Sequence, residues 1–256
     1  MLNKKKTSNH VVPQLISDES PFEYAEAYKS LRTNLNFITA NKKNRKILIT
    51  SSLRDEGKSS MAVNLAISLV QNGSKVLLID ADMRNPSLRR YLHLQQKNGV
   101  GLSNLLSGSV KVGDCLIKTE YGFDLVGGGI IPPNPAELIC SDAMSALLDS
   151  AIMHYDYIIC DTPPVGVITD AAALSPLCDG VLFVVRQNHA SKGIVHDALR
   201  KLRAVDANIL GAVMTQYHPP KDAVRRYGYK YGYKYGYKYD YRYGYGYGSE
   251  SEGNEE

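Results

Sequence analysis

Two rhythms of hydrophobic and polar positions alternate along the chain. Residues 47–50 are a short, β-branched apolar run, and after a polar loop residues 61–70 are good helix formers with one apolar face. The pairing recurs downstream. Apolar runs at 75–80, 123–126, 157–161, 180–186 and 208–216 predict strands, and residues 102–106, 136–150 and 192–205 predict helices. The central runs are apolar at successive positions, as in strands of a parallel sheet covered on both faces. The alternation predicts an α/β fold, a doubly wound, mostly parallel sheet flanked by helices. Ahead of it, residues 21–40 predict an amphipathic helix. Ala27, Leu31 and Leu35 share one face, and Glu26, Lys29 and Arg32, three apart, share a neighbouring one. That charge trio is either a solvated helix face or a subunit contact.

Residues 1–20 are polar around an apolar patch at 11–16 and read as a flexible arm. Residues 21–218 read as the folded domain and residues 219–256 as a tail of different composition. Tyrosine occupies every second position there: Tyr227, Tyr229, Tyr231, Tyr233, Tyr235, Tyr237, Tyr239, Tyr241, Tyr243, Tyr245 and Tyr247. Gly, Lys, Arg and Asp lie between them, and residues 249–256 are acidic and polar. With no aliphatic side chains to bury, the tail is expected to be disordered. It is then a low-complexity linker, a nucleic-acid binder that stacks its rings on bases, or a set of phosphate acceptors. Phosphorylation would turn a basic tail strongly acidic. A run of phenols beside a nucleotide site favours acceptors.

Composition narrows the classes. The 256 residues suit one α/β domain of about 170–200 residues with extensions. A net charge of +4 leaves no large field of one sign over the fold. Cys115, Cys140, Cys160 and Cys178 have neither close pairing nor metal-ligand spacing. Three lie in apolar surroundings and read as buried thiols of a reducing compartment. The basic N-terminus lacks the apolar core of a signal peptide. No run approaches the roughly 18 apolar residues of a membrane span. The expectation is a soluble, cytoplasmic chain whose place at the membrane comes from a partner.

Candidate chemistry concentrates at residues 46–60, KILITSSLRDEGKSS. A strand, a polar loop and a helix, with Gly57, Lys58 and Ser59 at the turn, are the context of a phosphate-binding loop. Loop amides and the helix N-terminus attract anions. Gly57 lets the backbone approach a phosphate closely. Lys58 would reach the β- and γ-phosphates, and the Ser59 hydroxyl would meet Mg2+. Ser52 stands where the usual loop has its first Gly. Strand ends carry the remaining carboxylates. Asp80 and Asp82 close the strand after the loop, where parallel sheets bind ligands, and Asp161 closes the strand at 157–161. Aspartates at strand ends are often helix caps; these, downstream of a phosphate loop, favour magnesium or proton transfer.

Taken together, these segments resemble the bacterial tyrosine kinase family, cytoplasmic kinases of capsule and exopolysaccharide synthesis related to the MinD/ParA ATPases. The resemblance covers roughly residues 22–217 and the tail. It rests on SSLRDEGKSS as Walker A, LLIDADMRNP as Walker A′ and IICDTPP as Walker B, with EAYKSLRTNL, GGIIPPNPAEL and the tyrosine cluster in support. Ser52 agrees with that family's loop, and the early lysine of the ParA-type loop is missing.

The resemblance implies ATP and Mg2+ as cofactors, with Ser52, Glu56, Gly57, Lys58, Ser59 and Ser60 around the nucleotide. It implies Ser59, Asp82 and Asp161 at the metal, and Lys58, Asp80 and Asp82 in catalysis, Asp80 being preferred as acceptor of the tyrosine proton. It also implies autophosphorylation of the tail in trans within a ring-like homo-oligomer. A separate transmembrane activator of the polysaccharide co-polymerase type and protein substrates of polysaccharide synthesis would be the partners, with no nucleic acid. The family's Glu-x-x-Arg-x-x-Arg ring motif becomes Glu26, Lys29 and Arg32, and Lys29 lacks the planar fork of Arg. The alternatives are a MinD-like ATPase assembly switch and a nucleic-acid scaffold working through the tail.

Overall fold

A computed structural model of the chain describes residues 15–41, 45–94 and 99–218. The tail tyrosines and most of the N-terminal arm lie outside the described residues. In chain order the elements are α1 (Phe22–Ile38), β1 (Arg45–Ser51), α2 (Lys58–Val70), β2 (Val76–Asp80), α3 (Leu88–Tyr91), α4 (Leu102–Leu106), α5 (Val112–Cys115), β3 (Leu116–Lys118) and β4 (Asp124–Val126). Then follow α6 (Pro135–Ile139), α7 (Asp142–Ala151), β5 (Tyr157–Asp161), α8 (Asp170–Leu174), a 3-10 turn at Ser175–Leu177, β6 (Gly180–Arg186), α9 (Lys192–Arg203) and β7 (Ile209–Thr215).

The strands make one sheet in the order β3-β4-β2-β5-β1-β6-β7. Every pairing is parallel except β3 with β4. β2 and β5 are buried along their whole length, and so is β1 from Ile47 on. Helices on both faces leave no polar position in the sheet's centre, hence the continuous apolar runs. Leu35 of α1 and the apolar residues of α2 cover one face; Met144, Leu148, Leu174, Ala198 and Leu202, from α7 to α9, cover the other. β1, β2 and β5 therefore end side by side, and their C-terminal ends hold Ser52, Asp80 and Asp161.

Several elements depart from the sequence pattern. Residues 136–150 are two helices, not one, because the Ser141 backbone is extended and its Oγ accepts from the Met144 amide at 3.4 Å, starting α7 afresh. On α1, Ala27 is exposed, and Tyr24, Tyr28, Leu31 and Leu35 pack inward instead. The arm is not wholly flexible: Ile16 is buried, and its amide donates to Asn64 Oδ1 of α2 at 2.8 Å. Of the four free cysteines, Cys115 and Cys160 are buried, Cys178 is half-buried and Cys140 is exposed. No helix of the described residues is long and apolar enough to cross a membrane.

Candidate active site

β1 delivers the chain into a loop that turns sharply at Gly57, whose φ of +84° belongs to the left-handed region that favours glycine. α2 begins at Lys58. Its first helical hydrogen bond runs from the Met61 amide to the Gly57 carbonyl at 2.9 Å, so the amides of Lys58, Ser59 and Ser60 precede the helical ladder and are free for an anion.

The loop holds its shape through Glu56, which is buried. Its carboxylate accepts from Ser52 Oγ at 2.8 Å and from the Leu53 amide at 2.7 Å; its carbonyl accepts from Thr215 Oγ1 of β7 at 2.7 Å. Ser52 in the place of a glycine thus supplies a hydroxyl that ties the loop's start to its end. Both side chains face the loop and not the cleft beside it.

Three carboxylates, Asp80, Asp82 and Asp161, act on one another electrostatically, and Lys58 acts on two of them, Asp82 and Asp161. Lys58 Nζ lies 4.0 Å from Asp82 Oδ2, both side chains being almost buried. Asp80 Oδ2 accepts from the Ser87 and Leu88 amides at 2.9 and 3.0 Å, while its Oδ1 is buried with no partner. Neither Asp161 oxygen has a hydrogen bond, although the Ser59 hydroxyl is near enough to favour its charged form. Burial, reinforced by the Asp161 charge, pushes Asp80 up to about 8. Burial likewise lifts Asp161 to about 6 against the pull of Lys58, and it raises Asp82, again opposed by Lys58. Buried carboxylate oxygens without donors are costly. With the Ser59 hydroxyl they fit a hard divalent cation, which takes oxygen ligands and keeps several waters. Among the described residues no group of three or more His, Cys, Asp or Glu side chains is spaced as a metal cage.

Above these groups opens a cleft of about 310 Å3. Of the residues singled out in the sequence, Gly57, Lys58, Ser59 and Asp82 line it, and Ser52, Glu56, Ser60, Asp80 and Asp161 do not. Arg54, Arg84, Arg90, Tyr91 and His93 line it too, and sequence reasoning missed them. Two quoted segments gave a signal, SSLRDEGKSS by containing Arg54 and LLIDADMRNP by running Arg84 on from Asp82. A larger cavity of about 650 Å3 lies where β2 and β4 begin, the end of the sheet away from the strand termini that bind ligands. Its buried carboxylate, Asp124, already accepts from Lys118 Nζ at 2.8 Å and Tyr155 Oη at 2.6 Å.

Known proteins are similar to this chain in sequence and fold. A family model described as an AAA domain matches residues 44–210. Tyrosine-protein kinase YwqD of Bacillus subtilis is 36% identical over 206 residues, which are 80% of this chain and 85% of that protein. The chain belongs to the bacterial tyrosine kinase family. The putative tyrosine-protein kinase CapB of Staphylococcus aureus is 32% identical over 90% of this kinase and 99% of its own length. The kinase domain of the Escherichia coli tyrosine kinase ETK superposes with a TM-score of 0.71 at 33% identity, covering 77% of this chain and 78% of that one.

Within this kinase the N-terminal charge trio is divided. Glu26 Oε1 and Lys29 Nζ pair with each other at the surface at 2.7 Å. Arg32 Nη1 donates inward to the Ser68 carbonyl of α2 at 2.6 Å. Phe22, Phe37 and Ile38 of the same helix are exposed.

Proposed function

We propose that this kinase binds ATP with Mg2+ on residues 57–60 and transfers the γ-phosphoryl group to tyrosines of its own tail, 227–247, between copies of the chain. The observation that carries the reading is the placement of Lys58 by Asp82 in a set of three buried carboxylates, two of them with oxygens that lack any donor. The amides of Lys58, Ser59 and Ser60 bind the phosphates, and Lys58 offsets charge as the phosphoryl group moves. Ser59, Asp82 and Asp161 would hold the ion, which when bound would supply charge neutralisation for the phosphates. Asp80 accepts the phenol proton. A tyrosine hydroxyl has a pKa of about 10, and an acceptor raised to about 8 is better matched to it than an ordinary carboxylate.

The exposed Glu26–Lys29 pair and the apolar Phe22, Phe37 and Ile38 support α1 as the contact between copies, in keeping with a ring-like homo-oligomer. Recruitment to the inner face of the membrane by a separate transmembrane activator, and regulation of capsule or exopolysaccharide synthesis, rest on the family resemblance. The deciding experiment is phosphotyrosine mapping by mass spectrometry after incubation with ATP–Mg2+. Phosphate on the tail of the wild type and none on a Lys58→Met chain is expected. Equal labelling of both would overturn the assignment of Lys58. A MinD-like switch would bind ATP and self-associate without any phosphotyrosine.

A further inference from the structure

Two walls enclose the cleft, and both carry basic side chains, Arg54 and Lys58 on the phosphate loop and Arg84 and Arg90 on the facing segment. The phosphate loop forms one. Residues 84–93 form the other and present Arg84, Arg90 and His93 on an exposed rim. Arg84 is already matched: Nε donates to Oδ2 of the buried Asp170 at 2.8 Å and Nη2 to Oδ1 at 3.2 Å. Arg90 and His93 make no ion pair among the described residues. Two carboxylates line the cleft as well: Asp82, turned to Lys58, and the exposed Asp55 on the loop wall, so the basic character of the rim is greatest at Arg90, away from Asp82. A phenol reaching the cleft brings its flanking residues past this basic rim.

The tail carries an uneven charge along its length. Lys230, Lys234 and Lys238 each sit directly beside two tyrosines, whereas Tyr245 and Tyr247 have only glycine neighbours and are followed by Glu250, Glu252, Glu255 and Glu256. An extended chain advances about 3.5 Å per residue, and charges are screened over about 8 Å at physiological salt. A lysine one residue from the acceptor is therefore felt fully at the rim, and Glu250, three positions beyond Tyr247 in the sequence, partly.

We infer that the 84–93 wall, through Arg90 and His93, selects acceptors by their flanking charge. On the tail of a second copy, phosphate enters first at Tyr245 and Tyr247 and last at Tyr229, Tyr231, Tyr233, Tyr235 and Tyr237, the sixth lysine neighbour, Tyr239, being offset by Asp240. The inference rests on the tail being the acceptor, as proposed above. Each transfer joins the γ-phosphorus to the phenol oxygen, breaks its bond to ADP and releases the phenol proton. The product carries a charge of about −1.5 to −2. Each modified tyrosine thus makes its neighbour a better match for the rim, and modification runs from the C-terminal end inward. Exposed charge pairs are individually weak, so the preference is on the order of fivefold.

The test uses full-length wild-type kinase with ATP–Mg2+ and an isotope-labelled, full-length Lys58→Met chain as acceptor, quenched early and mapped by mass spectrometry. Tyr245 and Tyr247 are expected to gain phosphate on the order of fivefold faster than the lysine-flanked tyrosines. That ratio falls toward one at about 0.5 M salt and in an Arg90→Gln, His93→Gln kinase. Should that variant fold poorly, acceptors with Lys230, Lys234 and Lys238 changed to Gln probe the same contact from the tail, and early entry at Tyr229–Tyr237 is then expected. Lysine-flanked tyrosines labelled first, or an order indifferent to salt and to these changes, would overturn the inference. Absence of tail phosphate in the wild type would remove the acceptor assignment itself, and the ordering with it. Phosphate that appears in another order leaves that assignment standing.

Discussion

Asp161 shows most sharply how a single buried carboxylate without a donor works against the stability of the fold. Burial raises its folded pKa to about 6, while an unfolded aspartate titrates near 3.9. The folded chain therefore holds the proton more tightly, and ionisation costs stability. That cost is absent below about pH 4, grows as pH rises and is complete above about 6. Asp161→Asn is expected to raise the Tm of the metal- and nucleotide-free protein by several degrees at pH 7.5 and by less at pH 5. It should also abolish the stabilisation by ATP–Mg2+. Scanning fluorimetry at the two pH values checks both, and a lowered Tm at pH 7.5 would contradict the account. Glu56 acts in the opposite sense. Glu56→Ala removes the acceptor of Ser52 Oγ and the Leu53 amide, and each buried donor left unpaired costs about 1–3 kcal/mol. The KM for ATP is expected to rise severalfold, with partial recovery in Glu56→Gln, which keeps one acceptor oxygen. An unchanged KM in Glu56→Ala would remove its role in shaping the loop.

Among the elements, the phosphate loop depends on neighbours remote in sequence. Thr215 of β7 donates to the Glu56 carbonyl, and the Arg186 guanidinium at the end of β6 donates to the Asp55 carbonyl at 3.2 Å. After β5, Gly166 packs so closely that an added Cβ would meet the Ser52 carbonyl oxygen at 2.1 Å. Backbone cannot yield as a flexible side chain does, so Gly166→Ala must displace the loop's first residue. A tenfold or greater loss of ATP affinity is expected by calorimetry, with a Tm lowered by several degrees. Wild-type affinity in this variant would show that the loop adapts. How much of the elements was legible follows the same division. β5 and β6 were readable because strands buried on both faces have no polar position to blur them. β3, three residues paired antiparallel at the sheet's edge, carries too short a pattern to read, and the break at Ser141 depended on a side chain competing with its own helix.

For the whole molecule, the sheet order brings the ends of β1, β2 and β5 together, so groups up to 109 positions apart in the chain, Ser52 and Asp161, meet around one site. The chain through residue 218 contains that complete set. Truncation after residue 218 is expected to leave Tm and ATP affinity within error of the full chain while removing phosphotyrosine. A truncated chain that no longer binds ATP would show that the tail is part of the nucleotide site.

By itself the sequence determined the α/β class, the loop at 52–60 and the carboxylates at the strand ends. Each follows from a local rule: the period of apolar residues, the turn that Gly57 permits, or the polarity change where a buried strand surfaces. Family membership was legible for the same reason, since its motifs are contiguous. Tertiary structure alone decided which of these groups touch. Ser52 and Glu56 appeared in sequence as nucleotide contacts, yet their side chains close the loop upon itself. Arg32 appeared beside Glu26 and Lys29, yet it turns inward to Ser68. Arg90 and His93 carried no motif and became cleft residues because α3 lies over the sheet's end. Donor pairing, burial and the charge of a wall depend on groups distant along the chain, which only packing brings within hydrogen-bonding reach.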